Sequence, residues 1–461
     1  MTSVLPFSCV HFVGIGGIGM SAVAEMVQAL GVSVQGSDKV ENDNIRRLRE
    51  KGIQVFIGQK EENIQNADAV VYSTATKENI EVKTALKKGL AVAHRSEMLA
   101  ELLKLKRSIC VAGTHGKTTT SSLIASILMK ADLNPSFIIG GILNSKKSNA
   151  QMGTGDWVVA EADESDGSFL RLPSTISVVT NIDPEHMDFY KTFENEKNSF
   201  LTMLNQTTFY GVNVVCLDHP VVRELLPRIK DRPVITYGLS SLADVFASNI
   251  QVMSNGISFD VTAVIKGQKI SVPQVCLNMM GEHNVQNALA AIAVALYLGI
   301  SPELIKDALK DFEGIQRRLT LRGQVQGASV YDDYAHHPNE IKATLTAIKP
   351  HVKGRLIAVW QPHRWSRFND LYFEFLNAFE MADEVIVTDV YAAGEVQTGD
   401  QTPIDFAQKL SAVKPVQWAA FSDLESVLSS VLKPDDVVVC LGAGSISSFA
   451  KEFVRQGEKK K

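Results

Sequence analysis

Apolar runs alternate with glycine-rich turns and helical patterns from the start of the chain. The first segment opens with VHFVGIGGIGMSAVAEMVQALG, where an apolar run leads into a glycine turn and then into apolar residues at helical spacing that end at Gly31. ADAVVYSTA and LAVAH repeat the apolar run and predict further parallel strands up to about Leu105. This segment is therefore predicted to be an α/β domain.

Two more segments show the same order of strand, glycine turn and helix. The second opens with SICVAGTHGKTTTSSLIASILMKA and continues through WVVAEAD, ISVVTNI and the alanine-rich helix HNVQNALAAIAVALYLG, with an irregular stretch of short β-like pieces at about 212–273. The third follows GIQRRLTLRG, with strands predicted at GASVYDDY, RLIAVW, EVIVTDV and DVVVCLGAG. The patterns predict an α/β protein of three domains, at residues 1–106, 107–315 and 316–461.

Length and charge narrow the class of protein. A chain of 461 residues suits about three domains of roughly 150 residues each. The formal net charge of −5 gives no basic surplus for a phosphate backbone, so we expect no nucleic-acid partner. We find no apolar run of the roughly 20 residues that a membrane helix needs, and no signal-peptide pattern in MTSVLPFSCVHFVGIGG. A cytoplasmic protein without stable membrane insertion is expected.

The strongest single motif is GTHGKTT, residues 113–119, between an apolar strand and a helix. Backbone N–H groups of such a turn, with the positive end of the helix, suit a polyphosphate. Lys117 is predicted to contact the β- and γ-phosphates, and the Thr118 hydroxyl to bind Mg²⁺. The motif is a shortened variant of GxxxxGK[ST], because Val111 stands at the position of the first glycine. The alternative is a plain glycine turn with a surface lysine.

Acidic residues follow the next strand of this segment, WVVAEADESDGSF. Glu161 is expected to emerge beside the phosphate loop, at the carboxyl end of the sheet, where a carboxylate can hold Mg²⁺. ISVVTNIDPEHMD then offers His186 for a second metal ion, although a lone histidine is usually a packed or surface residue. These parts suit phosphoryl transfer. A GTPase shares them, but we find no NKxD guanine-reading motif.

A second glycine motif follows the first strand. Gly14, Gly16 and Gly19 spell GxGxxG, and Asp38 stands at about the spacing of a ribose-binding acid. By itself this favours a dinucleotide, so an NAD-dependent oxidoreductase is the alternative from another class. Such an enzyme has no need for the GTHGKTT loop and its metal-binding acid. The same glycine turn can also cradle the pyrophosphate of a nucleotide sugar.

The third segment carries two groups of candidate residues. Arg364 and Arg367 lie three residues apart in QPHRWSRF, so that on a helix both guanidiniums would share one face and could bind a carboxylate; the alternative is a solvated basic face. The adjacent His336 and His337 point to opposite sides of an extended segment, which argues against a two-histidine metal site. The turn LGAGSIS, residues 441–447, lines a cleft or simply connects a strand to a helix.

Six motifs taken together resemble the Mur ligase family in order and spacing, over essentially the entire chain: GTHGKTTT, EADESDGSF, TNIDPEHMD, GEHNVQNALAA, FEGIQRRL and DDYAHHPNE. The resemblance implies an N-terminal Rossmann-like UDP-binding domain, a central P-loop ATPase-like domain and a C-terminal Rossmann-like domain. GIGGIGMS, YSTA, HRSEMLAELL, DDYAHHP and QPHRWSR are similar to those members that use ATP to join L-alanine to UDP-N-acetylmuramate through an acyl phosphate. The alternative within the family attaches a preformed tripeptide to this nucleotide sugar.

The same resemblance implies residue roles, with ATP and Mg²⁺ (or Mn²⁺) as cofactors. The catalytic candidates are Lys117, His186 and Arg318. The ATP-binding candidates are Gly113, Thr114, His115, Gly116, Lys117, Thr118, Thr119, His283, Asn284, Arg318 and Asp333. The UDP-sugar candidates are Gly14, Gly16, Gly17, Gly19, Ser37, Asp38, Ser73, Thr74 and His94. The amino-acid candidates are Tyr334, His336, Arg364 and Arg367. The metal candidates are Thr118, Glu161 and His186.

Some choices within this set stay open. Arg317 and Arg318 compete for one role, as do Asp332 and Asp333. Other family members carry a carbamylated lysine near the second metal, to which neither Lys191 nor Lys197 can be matched. The expected small-molecule partners are UDP-N-acetylmuramate and L-alanine, and the expected assembly is a monomer or a homodimer.

Overall fold

The computed structural model describes residues 5–254, 256–397 and 399–459. The chain divides into two compact units. The first unit comprises residues up to 251, 257–278 and 284–313, and the second comprises the short segments 252–256 and 279–283 together with the residues from 314 onward. Within the described ranges, no helix combines the length and the apolar composition that a bilayer span requires.

The N-terminal sheet of the first unit is parallel and doubly wound. Its strands are β1 Cys9–Val13, β2 Ser33–Asp38, β3 Gln54–Ile57, β4 Ala69–Tyr72 and β5 Ala91–His94. Its helices are α1 Ile18–Ala29, α2 Asp43–Glu50, α3 Ile80–Lys87 and α4 Arg95–Lys104, with 3₁₀ turns at Glu61–Ile64 and Thr74–Thr76. The strand order β3-β2-β1-β4-β5 reverses between β1 and β4. Ligands of such sheets bind at the carboxyl ends of the strands beside this reversal, where the first glycine turn lies.

Helix α1 joins this sheet to the next one. Residues from Met20 to Val27 are buried on every side of the helix. Met20 and Val23 belong to the same apolar cluster as Ile138 and Ala150, which come from the central sheet. Most of these residues are apolar, with Ser21 and Glu25 as the buried polar exceptions, and a largely apolar helix is stable only when it is covered on most sides. The broad burial of α1 is explained by this double packing.

The central sheet of the first unit is mixed. Its strands are β6 Arg107–Ala112, β7 Ser136–Leu143, β8 Ser148–Gln151, β9 Trp157–Glu161, β10 Ile176–Val179, β11 Val212–Cys216, β12 Val234–Gly238, β13 Val245–Met253, β14 Gly256–Ile265 and β15 Gln268–Leu277. Its helices are α5 Lys117–Lys130, α6 Met187–Tyr190, α7 Phe193–Gln206, α8 Pro220–Leu225, α9 Glu282–Tyr297 and α10 Pro302–Lys310, with 3₁₀ turns at Ser168–Arg171 and Leu226–Arg228. The order is β15-β14-β13-β12-β11-β10-β6-β9-β7-β8, with β6, β9, β10, β11 and β12 mutually parallel.

Strands β13 to β15 correct one expectation. The stretch at about 212–273 was predicted to hold short, irregular β pieces, which is confirmed for β11 and β12, of five residues each, but wrong for these three strands, which are nine to ten residues long. In β14, Ile257, Phe259, Val261 and Ala263 are buried and the intervening residues are partly exposed. Strands with one solvated face alternate in this way. β14 pairs antiparallel with β15, with one shift of register between Phe259 and Val261.

The second unit contains the third sheet. Its strands are β16 Thr320–Val325, β17 Ala328–Asp333, β18 Leu356–Trp360, β19 Glu384–Val387, β20 Val416–Trp418 and β21 Val437–Leu441. Its helices are α11 Pro338–Ile348, α12 Trp365–Asp370, α13 Tyr372–Leu376, α14 Pro403–Leu410, α15 Leu424–Val431 and α16 Ile446–Lys459, with 3₁₀ turns at Lys349–His351 and Phe421–Asp423. In the order β16-β17-β21-β18-β19-β20, only the β16–β17 pair among the described strands is antiparallel. The predicted strands at GASVYDDY, RLIAVW, EVIVTDV and DVVVCLGAG are confirmed as β17, β18, β19 and β21.

Candidate functional site

The phosphate loop connects the end of β6 to the start of α5. Gly113 has φ +129° and Gly116 has φ +82°, both in the region that favours glycine. A Cβ on Gly113 would collide with the Thr180 hydroxyl, and one on Gly116 would lie 2.5 Å from Asn287 Oδ1. Both glycines are therefore required by backbone conformation and by the lack of space.

Lys117 is folded against this loop. Its Nζ donates to Glu164 Oε1 at 2.8 Å, to the Gly113 carbonyl at 2.6 Å and to the Thr114 carbonyl at 3.1 Å. Burial opposes the charge, but the carboxylates of Glu164 and Glu161 outweigh it and hold the pKa of Lys117 above its usual value. The ammonium is thus a fixed positive charge at the mouth of the loop.

Thr118 and Glu161, two of the predicted metal ligands, are neighbours. The Thr118 hydroxyl donates to Glu161 Oε2 at 2.9 Å, and the Gly140 backbone N–H donates to the same oxygen at 2.7 Å. Strand register explains the contact, because β6 pairs with β9 and Val111 lies opposite Glu161. The carboxylate consequently emerges beside the loop that follows Val111. A hydroxyl and a carboxylate in contact are a suitable pair of oxygen ligands for Mg²⁺.

His186 lies close to two acidic residues, Glu164 and Glu185. It has φ +57° before α6, and one ligand atom each from Glu164, Glu185 and His186 come within 4.8 Å of one another. Glu164 is 1% exposed, and its Oε2 has no hydrogen-bond partner among the described residues. Burial raises the pKa of Glu164 to about 7, although Lys117 opposes this. A divalent cation would satisfy the unpartnered oxygen, so these residues fit a hard metal ion. The sequence had singled out neither Glu185 nor the ligand role of Glu164.

The loop after β10 braces the phosphate loop. The Thr180 hydroxyl donates to the His115 carbonyl at 2.6 Å, and the Asp183 backbone N–H donates to the Thr114 hydroxyl at 2.8 Å. The Asp183 carboxylate lies 3.4 Å from Nε2 of His115 and 3.4 Å from Nε2 of His219. Burial alone would raise the pKa of Asp183, but hydrogen bonds from both histidines hold it far below its usual value. The sequence analysis missed His219, whose only signal was its place just after strand β11.

Asn284, the candidate on the adenine side, is buried on α9. The Asn287 side chain donates to Asn284 Oδ1 at 3.1 Å, and the Thr120 hydroxyl donates to Asn287 Oδ1 at 3.2 Å. Asn287 therefore links Asn284 to α5, the helix that begins at the phosphate loop. Thr119, also on α5, is buried. Asn287 is a further residue that the sequence analysis did not select.

The first glycine turn is shaped by the end of β2. The backbone N–H groups of Gly14 and Ile15 donate to the Ser37 carbonyl at 2.8 and 3.0 Å, and that of Gly16 donates to Asp38 Oδ2 at 2.8 Å. The Asp38 carboxylate therefore stabilises the turn through Oδ2, the oxygen that accepts the Gly16 N–H. Gly17 caps the N-terminus of α1, whose first turn presents unpaired N–H groups, as in any helix.

The side chains beside this turn differ from expectation in one respect. Ser37 is fully buried, and its hydroxyl donates to Glu81 Oε2 at 2.5 Å. Its side chain therefore does not face a ligand, although Ser37 was predicted to contact the UDP-sugar. Ser73 caps the 3₁₀ turn that follows β4. A Cβ on Gly19 would collide with the Arg95 guanidinium, a neighbour of the turn that was not among the candidates.

Residues from the two sheets of the first unit meet here. The Thr74 hydroxyl donates to Asp166 Oδ2 at 2.8 Å and lies 3.2 Å from His94 Nε2. Arg95 Nη2 lies 3.4 Å from Asp163 Oδ2. Burial lowers the pKa of His94, although the Asp166 charge opposes this. The acidic stretch after β9 therefore contacts both the phosphate loop and the N-terminal sheet.

In the second unit, Asp332 and Asp333, the two alternatives for one ATP-binding role, have different hydrogen-bond partners. Asp333 is buried and accepts backbone N–H groups from Leu319 at 2.7 Å and from Ala335 at 2.8 Å. Burial raises the pKa of Asp333. Asp332 instead pairs with Arg322 at 2.5 Å and accepts from the Ser447 hydroxyl at 2.6 Å. Asp333 shapes the segment after β17, and Asp332 belongs to the core of the sheet.

Arg318 and His283, two further ATP-binding candidates of the second unit, lie near Glu340. Arg318 Nη1 is 4.0 Å from Glu340 Oε1, and Arg317 instead donates to the Gly442 carbonyl at 2.7 Å. Burial, with the Arg318 charge, lowers the pKa of His283 to about 4, so its imidazole is neutral at neutral pH. The two arginines have separate environments, although both guanidiniums lie over the Tyr334 ring, at 4.6 Å for Arg317 and 5.7 Å for Arg318.

The amino-acid candidates gather around His363, which the sequence analysis missed. The His336 ring lies 5.2 Å from Tyr334 and 5.8 Å from His363, and Arg367 Nη1 lies 3.2 Å from His363 Nδ1. Burial, together with the neighbouring His336, Arg367 and Arg364 charges, lowers the pKa of His363 to about 3. Helix α12 begins at Trp365, so Arg364 caps it with φ +67° instead of lying on its surface.

Fold and site together define an α/β enzyme that acts on nucleotide polyphosphates. Its site combines a lysine-bearing loop, a hydroxyl–carboxylate pair and a partly buried cluster of Glu164, Glu185 and His186 at the carboxyl edge of one sheet. Family models match three consecutive parts of the chain: the Mur ligase family catalytic domain at residues 9–107, the Mur ligase middle domain at 111–295 and the Mur ligase glutamate ligase domain at 317–444. The chain belongs to the Mur ligase family, which confirms the resemblance of its motifs.

Individual relatives agree over almost the whole length. The chain is 48% identical over 454 residues to the UDP-N-acetylmuramate–L-alanine ligase of Rhodospirillum rubrum, covering 97% of this chain and 94% of that protein. It is similar to the crystal structure of the UDP-N-acetylmuramate–alanine ligase of Thermotoga maritima, with TM-score 0.83, 29% identity and coverage of 98% and 99%. A murein peptide ligase from Psychrobacter arcticus shares the fold, with TM-score 0.74, 24% identity and 98% coverage of each chain. The predicted three-domain α/β fold is confirmed.

Proposed function

We propose that the protein uses ATP to join L-alanine to UDP-N-acetylmuramate, releasing ADP and phosphate. The observation that carries the proposal is the meeting of the Lys117 ammonium, the Thr118 hydroxyl and the Glu161 carboxylate at the start of α5. It occurs in a chain that is 48% identical to an L-alanine ligase over 97% of its length. Phosphoryl transfer depends mainly on positioning and on neutralising charge, which these three groups supply.

We assign one substrate to each predicted domain. Residues 1–106 bind the nucleotide sugar through the glycine turn, residues 107–315 bind ATP through the phosphate loop, and residues 316–461 bind the amino acid. The contacts of Thr74 and Arg95 with Asp166 and Asp163 support a nucleotide-sugar site whose reactive end reaches the phosphate loop. Arg318, Asp333 and His283 stay predictions as ATP-binding residues, as does the monomeric or homodimeric assembly.

The first chemical step is attack by the muramate carboxylate on the γ-phosphorus of ATP. A carboxylate oxygen bonds to this phosphorus, the bond to the bridging oxygen breaks, and ADP leaves an acyl phosphate behind. Lys117 lowers the barrier, because its fixed charge compensates the two anions that approach each other. Loop amides orient the phosphates, and Asp183 with its two histidines keeps the loop in place.

A magnesium ion fits the same edge of the sheet. Thr118 and Glu161 would hold one ion, and His186 with Glu164 and Glu185 would hold a second, where a buried carboxylate oxygen lacks a hydrogen-bond partner among the described residues. When bound, such ions supply positive charge to the phosphate oxygens. Manganese suits the same oxygen and imidazole ligands.

In the second step the neutral alanine amine attacks the acyl carbon, forming the amide and releasing phosphate and a proton. Arg367 and Arg364 are proposed to bind the alanine carboxylate, with Tyr334 and His336 beside it. The neutral His363 supports this arrangement, because it holds Arg367 at 3.2 Å without competing for the anion. A guanidinium that is fixed by such a neighbour binds a carboxylate with less loss of side-chain entropy.

Two alternatives are less well supported. A tripeptide-attaching ligase shares the fold, but among the solved structures the alanine ligase of Thermotoga maritima matches with TM-score 0.83 and 29% identity, against 0.74 and 24% for the murein peptide ligase. An NAD-dependent oxidoreductase would leave the phosphate loop and the acid cluster without a role. Membership of the Mur ligase family argues against it in the same way.

The test is ADP release by the purified protein with UDP-N-acetylmuramate and one amino acid at a time. We expect ADP formation with L-alanine that depends on Mg²⁺ or Mn²⁺ and is lost in Lys117→Ala. Glycine, serine and the L-alanyl tripeptide are the comparison substrates. Turnover with the tripeptide but not with alanine would establish the tripeptide ligase instead, and NADH-linked turnover without an amino acid would establish the oxidoreductase.

A further inference from the structure

A buried carboxylate lies beneath the first glycine turn. Glu81, the second residue of α3, is fully buried and accepts four hydrogen bonds. Its donors are the Ser37 hydroxyl at 2.5 Å, the Asn63 side chain at 2.6 Å, the Lys60 backbone N–H at 3.1 Å and His11 Nε2 at 3.2 Å. Burial would raise the pKa of Glu81, but hydrogen bonds from His11, Ser37 and Asn63 hold it below its usual value. Glu81 is therefore a buried anion.

Core stability alone does not explain such a group. An ionised carboxylate is costly to desolvate, and well-packed apolar side chains of similar volume are usually at least as stabilising. What Glu81 achieves is geometric, because its donors come from β1, from the end of β2 and from the loop after β3. One side chain thus fixes three segments relative to each other and to α3.

The end of β2 passes this constraint to the glycine turn. The Ser37 carbonyl accepts the N–H groups of Gly14 and Ile15 at 2.8 and 3.0 Å. The next residue, Asp38, accepts the N–H of Gly16 at 2.8 Å. Three consecutive amides of the turn are therefore oriented by two residues, one of which is tethered to Glu81. The first turn of α1 then presents its free N–H groups in a fixed direction, as an anion requires.

We propose that Glu81 is a positioning residue for the nucleotide-sugar site, acting through Ser37 on the turn that holds the UDP pyrophosphate. Glu81 itself touches no substrate. The inference rests on the proposed function, which assigns UDP-N-acetylmuramate to this turn. It also gives the buried Ser37 a role, since its hydroxyl and carbonyl connect the anion to the turn.

The test compares Glu81→Gln with Glu25→Gln. Glu25 is a suitable control because it is also a buried acid of this domain, paired with Arg47 at 3.0 Å and Lys51 at 2.5 Å. Among the contacts of the described residues, none joins it to the glycine turn. Calorimetry gives the dissociation constants of UDP and UDP-N-acetylmuramate, and steady-state kinetics give the three KM values and kcat. Ser37→Ala, a smaller change, is measured in parallel in case Glu81→Gln does not fold.

We expect Glu81→Gln to weaken binding of UDP and of UDP-N-acetylmuramate about tenfold, as for loss of a charge-assisted hydrogen bond. Ser37→Ala should weaken it about threefold. The KM values for ATP and L-alanine, and kcat at saturation, should stay unchanged, and Glu25→Gln should lower thermal stability without changing UDP affinity. The inference is overturned if Glu81→Gln and Ser37→Ala bind UDP like the wild type, or if all three KM values rise together. A wild-type protein that binds no UDP would instead overturn the proposed function of this domain, and the inference with it.

Discussion

Replacing Glu196 with glutamine is expected to make the stability of the first unit less dependent on pH. Glu196 is fully buried on α7. The Glu185 backbone N–H donates to its Oε2 at 3.3 Å, whereas Oε1 has no hydrogen-bond partner among the residues that the structure describes. Burial raises the pKa of Glu196 to about 8, and the charges of Glu164, Glu185 and Asp183 add to the effect.

The sign follows from comparing the folded and unfolded chains. Because the pKa of Glu196 rises from 4.5 to about 8, its contribution to stability is complete below pH 4.5 and is lost as the pH rises through 8. Converted directly, a shift of this size corresponds to about 5 kcal/mol. Relaxation and water penetration reduce such penalties, so we expect about 2–3 kcal/mol to be observable above pH 8.

Urea unfolding followed by circular dichroism measures this at pH 4 and pH 9. At pH 4, below both pKa values, Glu196→Gln should match the wild type within about 1 kcal/mol, since protonated glutamic acid and glutamine are nearly isosteric. At pH 9 the variant should be the more stable protein. Glu194→Gln is the control, because Glu194 lies on the same helix but is solvent-exposed and paired with Lys197. The reasoning fails if the difference between Glu196→Gln and wild type is the same at both pH values.

Three further predictions concern activity. Lys117→Ala should lower kcat for ADP formation at least about a thousandfold while leaving UDP binding intact, measured by a coupled assay and calorimetry; retained turnover would remove Lys117 from the reaction. Gly116→Ala should raise the KM for ATP about tenfold or more, because its Cβ would lie 2.5 Å from Asn287 Oδ1 at φ +82°, and a normal KM would contradict this. Arg367→Ala should raise the KM for L-alanine about tenfold to a hundredfold with kcat little changed, and an unchanged KM would exclude Arg367 from carboxylate binding.

The central site was predictable where sequence motif and strand order specify the same geometry. GTHGKTT defines a turn that only glycine conformations allow at Gly113 and Gly116. Glu161 ends a strand that pairs directly with the strand before that turn, so its contact with Thr118 follows from parallel pairing. Both facts are local or depend on one pair of neighbouring strands, which is why a single sequence was enough to place these residues together.

Contacts between distant segments were not predictable in this way. His219 comes to Asp183 across 36 positions of sequence, from 183 to 219, and only the folded sheet brings β10 and β11 side by side. The backbone of Arg364 has φ +67°, a conformation that arginine rarely adopts and that no periodicity indicates. The strands β13 to β15 are a different case, because the alternation of Ile257, Phe259 and Val261 was present in the sequence and indicated a regular strand.

The ambiguity of the GxGxxG turn has a physical origin. The amides of Gly14 and Gly16 are used by the end of β2, so these glycines specify how the turn closes and not which ligand it meets. Any diphosphate that reaches the first turn of α1 finds the same free N–H groups there, whether it belongs to a dinucleotide or to a nucleotide sugar. Discrimination must come from residues that face the rest of the ligand. We propose Arg95 and Thr74 for this role, because each contacts an acid that follows β9, beside the phosphate loop.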